Sequence, residues 1–149
     1  MNNIFPNYSM WRKKYAKADL LVYFIVIIME IVIFFILKEK NMILESIPVY
    51  IKNYFVTPIF WITVTGIVSI ILTFVIKNEK HKNYIPILCF TCMVGVVAII
   101  HNVFFVIMLL FCIPISMTIV FGDKILLYVT TFDSTLFIVA EVYYCFTKR

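Results

Sequence analysis

Residues 84–121 read YIPILCFTCMVGVVAIIHNVFFVIMLLFCIPISMTIVF, 38 positions without one Asp, Glu, Lys or Arg. As a single helix rising about 1.5 Å per residue, the stretch would be about 57 Å long, nearly twice a hydrocarbon core of about 30 Å. It must fold back on itself. Its one strongly polar pair, His101-Asn102, sits near the middle, and Asn accepts the left-handed backbone of a tight turn. The stretch therefore reads as two antiparallel crossings, 84–100 and 103–121.

The rest of the chain follows the same rule. Downstream, Gly122-Asp123-Lys124 supplies the next turn and 125–146 a further apolar run, closed by Lys148-Arg149. Upstream, 55–76 is flanked by Lys52 and Lys77, and 20–37 is broken only by Glu30. Each approaches the roughly 20 residues that cross a bilayer. The expectation is an all-α membrane protein: a five-span transmembrane helical bundle over 19–149, preceded by a short N-terminal amphipathic interfacial segment over 1–18. In that segment Tyr8, Trp11 and Tyr15 recur at i, i+3 and i+7 among Arg12, Lys13, Lys14 and Lys17, which suits rings at headgroup level and cations beside anionic lipid. A signal peptide fits less well, because the apolar run carries Glu30 and leads into Lys38-Glu39-Lys40 instead of a small-residue cleavage site.

Composition agrees and excludes the alternatives. Counted with Gly and without Tyr, about 60% of the 149 residues are apolar, against roughly 45–50% in soluble domains. With 14% charged residues the chain has too few polar groups to cover that surface. Disorder, a disulfide-stapled secreted scaffold and a nucleic-acid domain are all poor fits. The net charge of +5 is a topology signal, since the cations cluster between apolar runs. With the N-terminus in the cytoplasm, the inner side holds Arg12, Lys13, Lys14, Lys17, Lys77, Lys80, Lys82 and Lys124, and the outer side Lys38, Lys40, Lys52, Lys148 and Arg149. That orientation, in a bacterial cytoplasmic membrane, is the expectation. The terminal Lys148-Arg149 pair falls on the wrong side, which suggests a parent chain continuing into a sixth span and a cytoplasmic region.

Polar residues inside the spans are the candidates for function. Thr65, Gly66, Ser69 and Thr73 form one face suited to helix packing, and Thr91, Gly95 and Ala98 another. Pro114 should kink its helix and free a carbonyl near Leu110 for Ser116 or a neighbour to satisfy. A charge at mid-membrane costs on the order of 2.5–3.5 kcal/mol even on a lenient scale. Glu30 lies on the face of Tyr23, and Thr130, Asp133, Ser134 and Glu141 form one polar stripe in which Asp133 is nearest the membrane centre and Glu141 close enough to the surface to snorkel. No Lys or Arg sits at comparable depth, so these carboxyls line a wet cavity, are protonated, or bind a cation, an amine or hydroxyls. His101 at the outer turn could titrate or touch an entering ligand. The candidate ligand-binding residues are thus His101, Asp133, Glu30 and Glu141; each also has a plain structural reading as a buried or interfacial hydrogen-bonding group.

Enzymatic chemistry finds little support. Cys89-Phe90-Thr91-Cys92 is a CxxC, and some four-helix membrane thiol oxidoreductases pair such a motif with a quinone. Here it lies on the inner half, and Cys112 and Cys145 are single, so no outward shuttle pair is evident. Two cysteines and one distant histidine make a poor metal or haem site. There is no GxSxG or HExxH, and three glycines leave little room for a phosphate-cradling loop. No metal, cofactor or catalytic residue is expected, and no nucleic acid.

His101-Asn102-Val103, then Pro114-Ile115-Ser116, then Phe121-Gly122-Asp123-Lys124 followed by Leu126 and Thr130, resembles the N-terminal multi-span sensor region of clostridial-type membrane signalling proteins with a GGDEF diguanylate cyclase. In that pattern a histidine at an outer turn begins a helix with a Pro-x-Ser, which ends at a cytoplasmic aromatic-Gly-Asp-Lys turn. The resemblance implies an input module that binds a small ligand in the outer part of the bundle and alters the dimerisation of an output domain beyond residue 149. A small multi-pass transport or substrate-capture protein is the alternative, and a CxxC thiol/quinone oxidoreductase the third reading.

Overall fold

The computed structural model describes residues 8–43, 45–101 and 104–147, and among them every regular element is helical. The elements are α1 (Tyr8–Glu39), α2 (Ile47–Tyr50), a π-helical segment (Ile51–Val56), α3 (Thr57–Val75), α4 (Glu79–Lys82), α5 (Tyr84–His101), α6 (Phe104–Ile119) and α7 (Lys124–Thr147). Four stretches are long and apolar enough to cross a membrane: Ser9–Glu39, Ile47–Val75, Glu79–Ile100 and Lys124–Tyr144. The chain is therefore an all-α protein with multi-pass membrane character. Its outer face agrees, with Phe74, Phe146, Ile119 and Phe132 each more than 60% exposed, apolar surface that water would not tolerate on this scale.

Two boundaries differ from the sequence reading. Residues 8–39 form one unbroken helix of 32 residues, so the basic-aromatic stretch is the opening turns of α1 and not a separate segment before it. No Gly or Pro interrupts Ser9 to Glu39, and the rings of Trp11 and Tyr15 give that part of the helix a protein surface to pack on. The second crossing begins earlier than expected: helix runs continuously from Ile47 through α2 and the π-helical segment into α3. Pro58 lies in the first turn of α3, where its missing N–H and its ring disturb the preceding bonding pattern. A π-helical turn lets the helix pass such a point without breaking.

The organising element is α5. It packs against α1, α3, α6 and α7, and its membrane window is 61% buried, whereas that of α1 is 6% buried. Three apolar clusters follow it along its length: Ile87 with Phe121 and Leu126, Cys89 and Met93 with Ile62, and Phe90, Val94 and Ala98 with Phe111. In lipid there is no hydrophobic push between helices, so such clusters hold the bundle by close packing. Gly95 shows how close: a Cβ there would overlap the Phe137 ring of α7, which itself stacks on Phe111 of α6 at 6.2 Å. Gly66, expected on a packing face, meets nothing within 4 Å; it borders a cleft. Gly122 turns the chain between α6 and α7 with φ +57°, a conformation glycine adopts at no steric cost.

Pro114 lies inside α6 and is fully buried. Ser116 donates to the carbonyl of Cys112 at 2.7 Å and not to that of Leu110, because a serine hydroxyl in a helix reaches the carbonyl four residues back.

Candidate functional site

One end of the bundle is held by a polar clamp. The start of α1, the α4 turn and the α6–α7 turn meet there. The Arg12 guanidinium and the Lys82 ammonium both lie 2.8 Å from the Glu79 carboxylate. Asp123 is the N-cap of α7: it accepts from the Ile125 amide at 3.0 Å, from the Tyr84 hydroxyl at 2.7 Å and from the Lys80 ammonium at 3.2 Å. Burial works upward on the Asp123 carboxyl but is outweighed by these three donors, which hold it below the ordinary aspartate range. Tyr15 adds a bond to the Met117 carbonyl at 3.4 Å and an edge contact with Phe121. A cleft of about 620 Å³ opens among Arg12, Glu79, Asn83 and Asp123.

The opposite end carries a cavity of about 460 Å³, bordered by Glu45, Asn53, Tyr54, Trp61, Ile100 and Tyr144. It lies where the π-helical segment, α3, α5 and the last turns of α7 converge. Tyr54 stacks on Tyr50 at 4.9 Å, and Tyr50 meets Phe34 in a tilted contact at 5.9 Å. Glu30, buried on α1, lies close enough for its charge to act on Tyr50. An aromatic row thus joins α1 to the cavity.

Between the two ends, α7 presents a buried polar stripe. Thr130, Ser134 and Glu141 are at most 2% exposed, and among the described residues Thr130 Oγ1, Ser134 Oγ and both Glu141 carboxylate oxygens have no hydrogen-bond partner. Glu141 was expected to snorkel; it is fully enclosed instead, because its face of α7 continues the Leu126, Thr130 and Ser134 line toward the interior. Asp133, expected within that stripe, sits one residue aside at its half-buried edge, with Cys92 of α5 nearby. Glu30 thus faces Tyr50, and Asp133 faces Cys92. The side chain of His101 lies outside the described residues, as do Asn102 and Val103.

Cys89 and Cys92 are free thiols, and among the described residues no three His, Cys, Asp or Glu side chains converge as a metal site would require. One carboxyl was missed by sequence reasoning. Asp19 of α1 is 6% exposed, and its Oδ1 has no partner. It stands among the N-terminal cations in sequence, so charge counting reads it as part of a solvated cluster. Its signal was positional: it is one turn from both Tyr15 and Tyr23 on the inward face of a continuous helix. No family model, curated protein or solved structure matches the chain.

Proposed function

We propose that this chain is a five-crossing membrane input module of a bacterial signalling protein, with its N-terminus in the cytoplasm and no catalytic chemistry of its own. A small ligand held in the far-end cavity shifts α5 against α7, and the clamped end passes that shift to a cytoplasmic output. The observation that carries the reading is that the same two helices serve both places. Ile100 of α5 and Tyr144 of α7 border the cavity, while Tyr84 of α5 bonds Asp123, the cap of α7, at the clamp. Gly95 and Phe137 lock the two helices together between them, so a displacement at one end is not absorbed along the way.

The fifth crossing is α6. Its 16 residues span about 24 Å, and it joins the end of α5 to Phe121 at the clamp. The resemblance to sensor regions of cyclase-linked proteins points the same way. Capture or transport is the second reading, favoured by the buried Glu141 carboxyl, whose oxygens have no hydrogen-bond partner among the described residues.

The test uses the full chain in proteoliposomes with spin labels at Lys80 and Lys124. Amines, quinones and short peptides are added from the face opposite the clamp. A bound compound should change the label-to-label distance, and Trp61→Leu should remove the change. A compound that binds at the cavity and leaves the distance unchanged, or accumulates inside the vesicles, would overturn the sensor reading in favour of transport. Impermeant labelling of a cysteine placed at Lys40 but not at Lys80 checks the orientation.

A further inference from the structure

A second cavity, of about 340 Å³, lies between α1, α3 and α5, one turn inside the clamped end. Its wall is mostly apolar, with Ile62, Ile67 and Met93, and its rim residues Leu20, Ile67 and Ile70 are each more than half exposed on the lipid-facing surface. Asp19 borders it with an unpartnered, enclosed Oδ1. The hydroxyls next to Asp19 are already committed. Thr63 donates to the Ile59 carbonyl at 2.7 Å, so its bond with Tyr23 at 3.1 Å has Tyr23 as donor. Among the described residues no Lys, Arg or His borders the cleft. A carboxyl so enclosed either stays protonated or takes a cation from outside, because no described residue bordering the cleft supplies one.

Size narrows the occupant. The cleft is at the small end of ligand pockets, about 300–1,000 Å³, which admits one short apolar chain and excludes the paired acyl chains of a phospholipid. Gly66 leaves open space on the α3 side, since a Cβ there would touch nothing within 4 Å. We propose that this cleft is a binding site, entered from the membrane, for a single-chain amphipathic amine, its ammonium on Asp19 and its chain against Ile62, Ile67 and Met93. Nothing in this assignment depends on the far-end cavity, whose lining shares no residue with it.

The experiment uses the full chain in phosphatidylglycerol nanodiscs with diazirine-bearing octylamine, octanol and octanoic acid, and maps the adducts by mass spectrometry. The amine should crosslink at Ile62, Ile67 or Met93 at least about tenfold more than the alcohol at equal concentration, the ratio expected of a charge-assisted contact, and octanoate should not crosslink there. Asp19→Asn should erase the preference for the amine, and Asp133→Asn should keep it. Should Asp19→Asn fail to fold, Gly66→Leu fills the cleft at a position with room for it and should abolish all three adducts. Equal labelling by amine and alcohol would overturn the proposal, as would labelling that survives Gly66→Leu. Blocking of the amine by phosphatidylethanolamine would assign the cleft to a lipid and overturn it as well.

Discussion

The two ends of α7 treat a carboxyl in opposite ways. At its start Asp123 has a backbone amide, a phenol and an ammonium as donors. About five turns later, Glu141 is completely enclosed and neither oxygen has a partner among the described residues. The first carboxyl ties three elements together and is held charged by what surrounds it. The second contributes no bond to the fold. A charged group at the end of a membrane bundle can gather its partners from turns and from the interface, whereas one in the interior has only what neighbouring helices carry, and among the described residues none gives Glu141 a hydrogen-bond partner. Charge at the clamped end is therefore structural, whereas the Glu141 carboxyl is open to a ligand or a proton.

That contrast can be broken most directly at Asp123. Asp123→Ala leaves the Tyr84 hydroxyl, the Lys80 ammonium and the Ile125 amide without their acceptor and should lower stability by about 2–3 kcal/mol, read from thermal unfolding in detergent. A loss too small to measure would mean that the clamp is decoration. The pH dependence sharpens the same point. Because the folded carboxyl is held below its ordinary value near 3.8, its contribution is complete above the unfolded value and disappears as pH falls through the folded one. The gap between the natural chain and Asp123→Ala should stay constant from neutral pH to about pH 5 and close below about pH 4.

Glu141→Leu should have the opposite sign. Replacing an unpartnered buried carboxyl by an apolar side chain of similar volume is expected to be neutral or to raise stability by about 1 kcal/mol, measured by the same unfolding. A clear loss would show that Glu141 contributes to the fold after all and would remove the contrast. The smallest effect belongs to Arg12→Ala. Its partner Glu79 is a well exposed carboxyl that keeps Lys82, and water and salt screen such pairs, so any difference should vanish at high salt.

Much of the architecture was legible in the residues themselves. The charge-free run of 84–121 demanded a fold-back, and α5 and α6 occupy its two halves. The Gly122-Asp123-Lys124 turn follows from glycine's backbone freedom and aspartate's capping chemistry, and both are realised. Four of the five expected spans coincide with helices of membrane-crossing length. The continuity of α1 was not legible, because an amphipathic opening and an apolar continuation have the same local propensities whether they form one helix or two. Nor was the early start of the second crossing, expected only from residue 55, beyond Lys52, although helix already runs from Ile47 through a π-helical turn into α3.

The candidate residues divide in the same manner. Spacing along α7 put Thr130, Ser134 and Glu141 on one face, and they share it. Spacing could not say that this face turns inward at Glu141, nor that Gly95 meets Phe137 while Gly66 meets nothing. Hydropathy reports which residues must leave water. Lipid and neighbouring helices are equally apolar destinations, so it does not report which of the two each face finds.

The sequence by itself determined that this is a helical chain made for a membrane, where its turns fall and which residues are too polar for lipid, because each of these depends only on transfer from water and on local backbone preference. The tertiary structure alone decided that α5 lies at the centre, that Asp123 is bound while Glu141 and Asp19 are not, and that Asp19 faces a cleft. Those outcomes depend on which helix packs against which, and between apolar helices in lipid that is set by shape and close contact, which no single stretch of residues contains.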